Sequence, residues 1–236
     1  MTRWNQRDAS LHALHPVRQS LETSRASDAV ERTTLLCIAW WLLITSAWGF
    51  GGVAPYLRPF PQHAAVIQLH AIGFALWTVL VVVQTHLALA RRTKAHRVCG
   101  VVSLGALTLA IVTGIMTIVR SVALDRRTFG EGLLLLAPLL VGGALVTSAF
   151  LVRRRDPCSH GQTMLLATAL FTTLAVDRIG FLLGLHATPW LVASIRLIPV
   201  MAIAALEIRR GRLSWGVPIA GSTLIALDLQ ALLPAG

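Results

Sequence analysis

Residues 162–185 read QTMLLATALFTTLAVDRIGFLLGL, and this stretch decides the class of fold. A helix rises 1.5 Å per residue, so about twenty residues cross the ~30 Å hydrocarbon layer of a bilayer. A strand of a membrane barrel would alternate apolar and polar positions over about ten residues. The stretch is long, mostly apolar and non-alternating, and it reads as a membrane-spanning helix. Its one charged pair, Asp177-Arg178, is the exception. A charge inside such a helix costs ~2.5–3.5 kcal/mol on insertion scales, and it marks a buried pair or a functional cavity.

Working outward, six more apolar runs flank it, at residues 34–52, 63–90, 99–119, 132–152, 189–206 and 215–233. The expected fold is therefore all-α: a bundle of about seven transmembrane helices forming one domain over residues 34–236, after a basic cytoplasmic tail at 1–33. Composition agrees, since 55% of the 236 residues are apolar and 13% charged, about half the charge of a soluble domain. The tail is arginine-rich without an apolar core region, unlike a signal peptide. It is expected to be disordered or a surface-lying helix.

Lys and Arg in the connections set orientation. With seven spans, fifteen of them fall on the side of the N-terminus, in the tail and in the groups Arg91-Arg92-Lys94-Arg97, Arg153-Arg154-Arg155 and Arg209-Arg210-Arg212. Only Arg58, Arg120, Arg126 and Arg127 fall on the other side. The expected topology is N-terminus in, C-terminus out, in a bacterial inner membrane. The +11 net charge then reflects orientation and attraction to an anionic leaflet rather than nucleic-acid binding. Cys37, Cys99 and Cys158 all map to the inner, reducing side, so no disulfide is expected.

Two further in-span charges, Arg196 and Asp228, join Asp177 and Arg178. Counting rises from the span ends puts Arg178, Arg196 and His70 each about 10 Å below the outer surface, with Asp177 slightly deeper and Asp228 slightly shallower. His63, His70, Trp77 and Gln84 recur every seven residues, a step that drifts by only ~20° and keeps them on one helix face. That face is expected to look into the bundle. Candidate ligand-binding residues are thus His70, Trp77, Gln84, Asp177, Arg178, Arg196 and Asp228. Each arginine is expected within ion-pair distance of Asp177 or Asp228, because an unpaired buried charge is far costlier than a paired one. The alternative is that the network only locks helices together.

A second group, His86, His96 and His160, lies toward the inner surface. Two imidazoles from facing helices at one depth could hold a b-type haem, with His86 and His160 the best pair. His86 points about 160° away from His70, and His96 and His160 sit among arginines at the boundary, so the expectation is that no cofactor is bound. Gly180-Phe-Leu-Leu-Gly184 matches the GxxxG packing pattern. No Walker, dinucleotide, HExxH or GxSxG pattern occurs, and no nucleophile or metal constellation points to an enzyme.

The series Leu69-His70, Trp77, Gln84, Arg91 and His96-Arg97-Val98-Cys99-Gly100 resembles a pattern in uncharacterised bacterial multi-spanning membrane proteins. Those carry Leu-His, a Trp and a Gln on one span and His-Arg-x-x-Gly opening the next. A later His before a Leu-rich span with an internal Arg is similar to His160 and Arg178 here. The chain departs from the pattern at Ser159-His160-Gly161, where a basic residue more often follows the His. The resemblance spans roughly residues 60–215 and implies a membrane protein without implying an activity. The function expected from the residues is binding or translocation of a small polar or anionic ligand at an outward-facing cavity. A haem electron-transfer module and an accessory subunit of a membrane complex are the alternatives.

Overall fold

The computed structural model describes residues 4–51, 64–124, 127–185 and 188–231. His63, Arg58, Arg126 and Arg3, used above for the helix stripe and the topology, lie outside them. The described residues form eight helices and no strand: α1 (Trp4–Gly51), α2 (Ala64–Leu89), α3 (Thr93–Ala123), α4 (Phe129–Val152), α5 (Pro157–Phe171), α6 (Thr173–Leu182), α7 (Pro189–Arg209) and α8 (Gly216–Ala231). The chain divides into two units, residues 1–34 and 35–236. The fold below is that of the second.

Five stretches are long and apolar enough to cross a bilayer: Ser27–Gly51 within α1, α2, α3, α4 and α7. Their outward faces carry large apolar side chains such as Val101, Leu151, Met201 and Ile208, each more than 60% exposed, which suits a multi-pass membrane protein. Two expected spans differ. The fifth is not one helix: α5 and α6 meet at a 44° bend. The seventh is α8, whose 16 described residues rise only ~24 Å, short of the hydrocarbon thickness.

The bend has a local cause in Thr172-Thr173. The Thr172 hydroxyl donates to the Ala169 carbonyl at 2.9 Å and the Thr173 hydroxyl to Leu170 at 2.9 Å. The hydroxyls thereby add donors at the carbonyls where the helical ladder is interrupted, and the Thr172 amide also reaches the Leu170 carbonyl. All four residues are buried. Helix α5 is the central element, buried on nearly every side from Gln162 to Phe171, with α2, α4, α7 and α8 around it. Trp77, Leu166, Leu170, Ile203 and Leu224 form the middle of this core.

Close backbone approach fixes the elements that carry the polar residues. A Cβ on Gly73 of α2 would lie 2.9 Å from the Ala110 amide nitrogen of α3, and one on Gly49 of α1 would lie 2.3 Å from the Ala175 carbonyl oxygen of α6. Only glycine lets these pairs approach so far, the small-residue packing expected of membrane helices. The GxxxG pair does not act as a unit. Gly180 packs on Val192, whereas Gly184 lies past α6 at φ +69°, where it turns the chain toward α7.

Candidate functional site

Two openings lie among the helices that carry the in-span ionisable residues. The larger, a cavity of about 710 Å³, is bounded by the end of α1, α2, α3, α4 and the α5–α6 bend. The smaller, about 210 Å³, lies between α6, α7 and α8. His70 and Arg178 line the first, Arg196 and Asp228 the second, and Asp177 reaches both. The single cavity expected from equal depth is therefore two.

In the smaller cleft the charges are joined in one ion-paired group, two carboxylates on one guanidinium. Arg196 donates through Nη1 to Asp228 Oδ1 and through Nη2 pairs with Asp177 Oδ1, so one guanidinium ties α6, α7 and α8 together. Its side chain is only 8% exposed. Such a pair is costly to break from one side, since the charge left behind stays desolvated.

In the larger cavity they are not. Arg178 forms no ion pair among the described residues, contrary to the pairing expected above. Its guanidinium carbon lies 4.8 Å from the centre of the Phe50 ring, a cation–π contact that leaves the planar hydrogen-bonding edge free. The neighbouring carboxylate, Asp177, is committed to Arg196. The reason is angular: consecutive helical residues point ~100° apart, so Asp177 and Arg178 of α6 face different partners.

His70 is held by α3. Its Nδ1 lies 2.7 Å from the Ala110 carbonyl oxygen, which can only accept, so the hydrogen is on Nδ1 and a neutral ring keeps Nε2 as an acceptor. The ring fits because Gly114 lies beneath it; a Cβ there would come within 3.0 Å of His70 Cε1. Arg178 lies within electrostatic reach of His70 and of a second cavity arginine, Arg127.

Sequence reasoning missed Arg120, Arg127 and Glu131, which all line the cavity where α3 turns into α4. A signal was present. They include arginines on the side expected to be poor in them, and such exceptions to the positive-inside bias need a reason of their own. Glu131 closes a capping box, its Oε2 accepting from the Thr128 amide at 2.7 Å and its amide donating to Thr128 Oγ1 at 3.2 Å, and its carboxylate also lies within electrostatic reach of Arg127. The cavity thus collects three arginines and a histidine against two acids, of which Asp177 is paired with Arg196 and Glu131 caps α4 near Arg127.

The other candidates lie apart. Trp77 is fully buried, edge-on to Phe171, in the core. Gln84 donates through Nε2 to the His96 carbonyl at 3.0 Å, and His96 Nδ1 lies 3.3 Å from the Gln84 carbonyl, a reciprocal clasp of α2 to α3. His86 edges onto Trp40 of α1, its Nδ1 on the Val82 carbonyl of its own helix. His160 edges onto Phe150 of α4, its Nδ1 on the Ala149 carbonyl at 2.9 Å. The histidines proposed as haem ligands therefore rest on separate neighbours. Among the described residues no group of three or more His, Cys, Asp or Glu side chains converges.

The α4–α5 and α7–α8 connections are densely tied. Asp156 caps α5, accepting from the Ser159 amide at 3.0 Å and the Ser159 hydroxyl at 2.9 Å, and pairs with Arg212 at 2.7 Å. The Ser159 amide above all, with the Ser159 hydroxyl and Arg212, pulls its carboxyl down to about 2, and Asp156 in turn raises the Arg212 guanidinium. Glu207, 1% exposed, accepts from the Ser214 amide and hydroxyl, each at 2.6 Å. No protein-family model, curated protein or solved structure matches this chain.

Proposed function

We propose that this chain is a multi-pass protein of a bacterial inner membrane, N-terminus inside, that binds a small anionic ligand in the cavity between α2, α3, α4 and α6. The observation that carries the reading is Arg178: a guanidinium in an apolar span, without a carboxylate partner among the described residues, beside His70 on a cavity of about 710 Å³. A cation in that setting is stabilised by an anion that enters, and its planar fork suits a carboxylate or phosphate oxygen pair. His70 Nε2 serves as proton acceptor or donor to the bound group. The α5–α6 bend also supports the reading, since interrupted helices beside a cavity are how membrane carriers build substrate sites.

On this topology the cavity's arginine end faces outward, and α8 with its flanking residues completes a seventh crossing that carries the C-terminus out. The family resemblance given above is part of the same proposal: relatives of this chain would keep Leu-His, Trp, Gln and His-Arg-x-x-Gly at the α2–α3 hairpin, where Gln84 and His96 clasp the helices. A thermal-shift series of chloride, phosphate, acetate and benzoate on detergent-purified protein tests the binding site. At saturation, 100 times Kd, a true ligand stabilises by about 2.7 kcal/mol, and that shift disappears in Arg178→Gln. If no anion shifts the wild type, the chain is better read as a scaffold or accessory subunit.

A further inference from the structure

The cavity has a direction. On α2, Val66 and Ile67 lie one turn above His70 and two above Phe74; on α4, Glu131 lies ~10–12 Å above Pro138 and Leu139. Helix α3 runs the opposite way, with Gly114 low and Arg120, Ser121 and Leu124 high, and α6 raises Arg178 about 10 Å above Phe171. Every arginine of the lining is therefore at one end, where α3 turns into α4. The other end is closed by Phe74, Pro138, Leu139, Leu170 and Phe171, without a charge among them. His70 sits between the two zones.

Size points the same way. A single inorganic anion would occupy a small part of about 710 Å³, which lies within the ~300–1,000 Å³ typical of sites that enclose whole organic molecules. Water in the lower half would meet few polar partners, so an apolar body is the better occupant there.

Resting on the anion reading above, we propose that the ligand is an amphiphile: an anionic head on Arg178 with Arg120 and Arg127, and an unbranched or aromatic apolar body extending past His70 onto Phe74, Leu139 and Phe171. A soluble organic acid and an anionic lipid share this chemistry.

The test is competition against radiolabelled octanoate on full-length protein in phosphatidylcholine nanodiscs, with acetate, butyrate, hexanoate, octanoate and octanol as competitors. Each added methylene is expected to strengthen competition about three- to fourfold until the cavity is full, and octanol is expected to be at least tenfold weaker than octanoate. Leu139→Trp, which fills the apolar end, should weaken octanoate at least tenfold and leave acetate unchanged. The chain-length series needs only wild-type protein, so it decides the matter even if that variant does not fold. Acetate equal to octanoate, with both lost in Arg178→Gln, overturns the amphiphile while the anion site stands. Octanol equal to octanoate, with no effect of Arg178→Gln, overturns both. Repeating the measurement with phosphatidylglycerol in the nanodisc separates the sources: suppressed octanoate binding assigns the head to a lipid, and unchanged binding assigns it to a soluble acid.

Discussion

The two in-span arginines, Arg178 and Arg196, were expected to behave alike, and they do not. Arg196 is 8% exposed and held by two carboxylates; Arg178 rests on an aromatic face and turns its hydrogen-bonding edge to a cavity. Equal depth in a membrane does not make equal roles. What separates them is which neighbour each side chain meets, and only a group without a countercharge has interaction energy left for a ligand. Arg196 is a tie between helices, whereas Arg178 is the docking point of the proposed ligand.

Replacement of Arg196 by Met is the harshest test of that contrast. It strands Asp228, whose side chain is 17% exposed, while Asp177 at 44% regains water, and should cost about 3 kcal/mol, the low end for breaking a buried pair, read as a fall in thermal unfolding temperature. Adding Asp228→Asn to the same chain should recover part of the loss. A stability close to wild type for Arg196→Met would mean that the tie is not structural.

A backbone change at Gly49 moves both regions together, because α6 carries Asp177 and Arg178 and leans on that glycine. Gly49→Ala places a methyl against the Ala175 backbone and should destabilise by about 1–3 kcal/mol while also weakening anion binding. If only stability falls, the cavity does not depend on where α6 sits.

Arg178 should show the reverse balance. Arg178→Met is expected to leave the unfolding temperature near the wild-type value or to raise it, since a desolvated charge without a partner is removed. Anion affinity should drop at least tenfold, about 1.4 kcal/mol, and Arg178→Lys should restore only part, because an ammonium cannot engage two oxygens in one plane. A large stability loss in Arg178→Met would erase the distinction between the arginines.

The smallest effect belongs to the α4–α5 connection, where Asp156 caps α5. Asp156→Ala should cost about 1 kcal/mol, the usual value of such a cap. The carboxyl is depressed in the folded protein, so its contribution is fully present above the ordinary carboxylate range and is lost as pH falls through about 2. Wild type and variant should therefore differ at neutral pH and converge in acid. A gap that persists at pH 2 would assign the effect to packing rather than charge.

Much of this was legible from residues alone. Apolar run length announced helices that suit a bilayer, because hydrocarbon thickness and helix rise leave little choice. Asp156 before Pro157 and Thr128 with Glu131 cap α5 and α4, local signals that the reading of apolar runs passed over. The in-span charges marked the helices that matter, because their burial cost is set by composition. Other features depended on partners distant in the chain. The Thr172-Thr173 break is silent in an apolar run, as threonine hydroxyls serve an unbroken helix equally well. Trp77 and Gln84 share the heptad stripe with His70, yet one meets the core and the other a hairpin clasp, because a stripe fixes direction but not neighbour. Arg120 and Arg127 read as loop charges until the α3–α4 turn brought them to the cavity. The sequence by itself determined which groups would be expensive to bury. The tertiary structure decided which of them are compensated, since Asp177 and Arg178, one residue and ~100° apart, can reach only what the surrounding helices place before them.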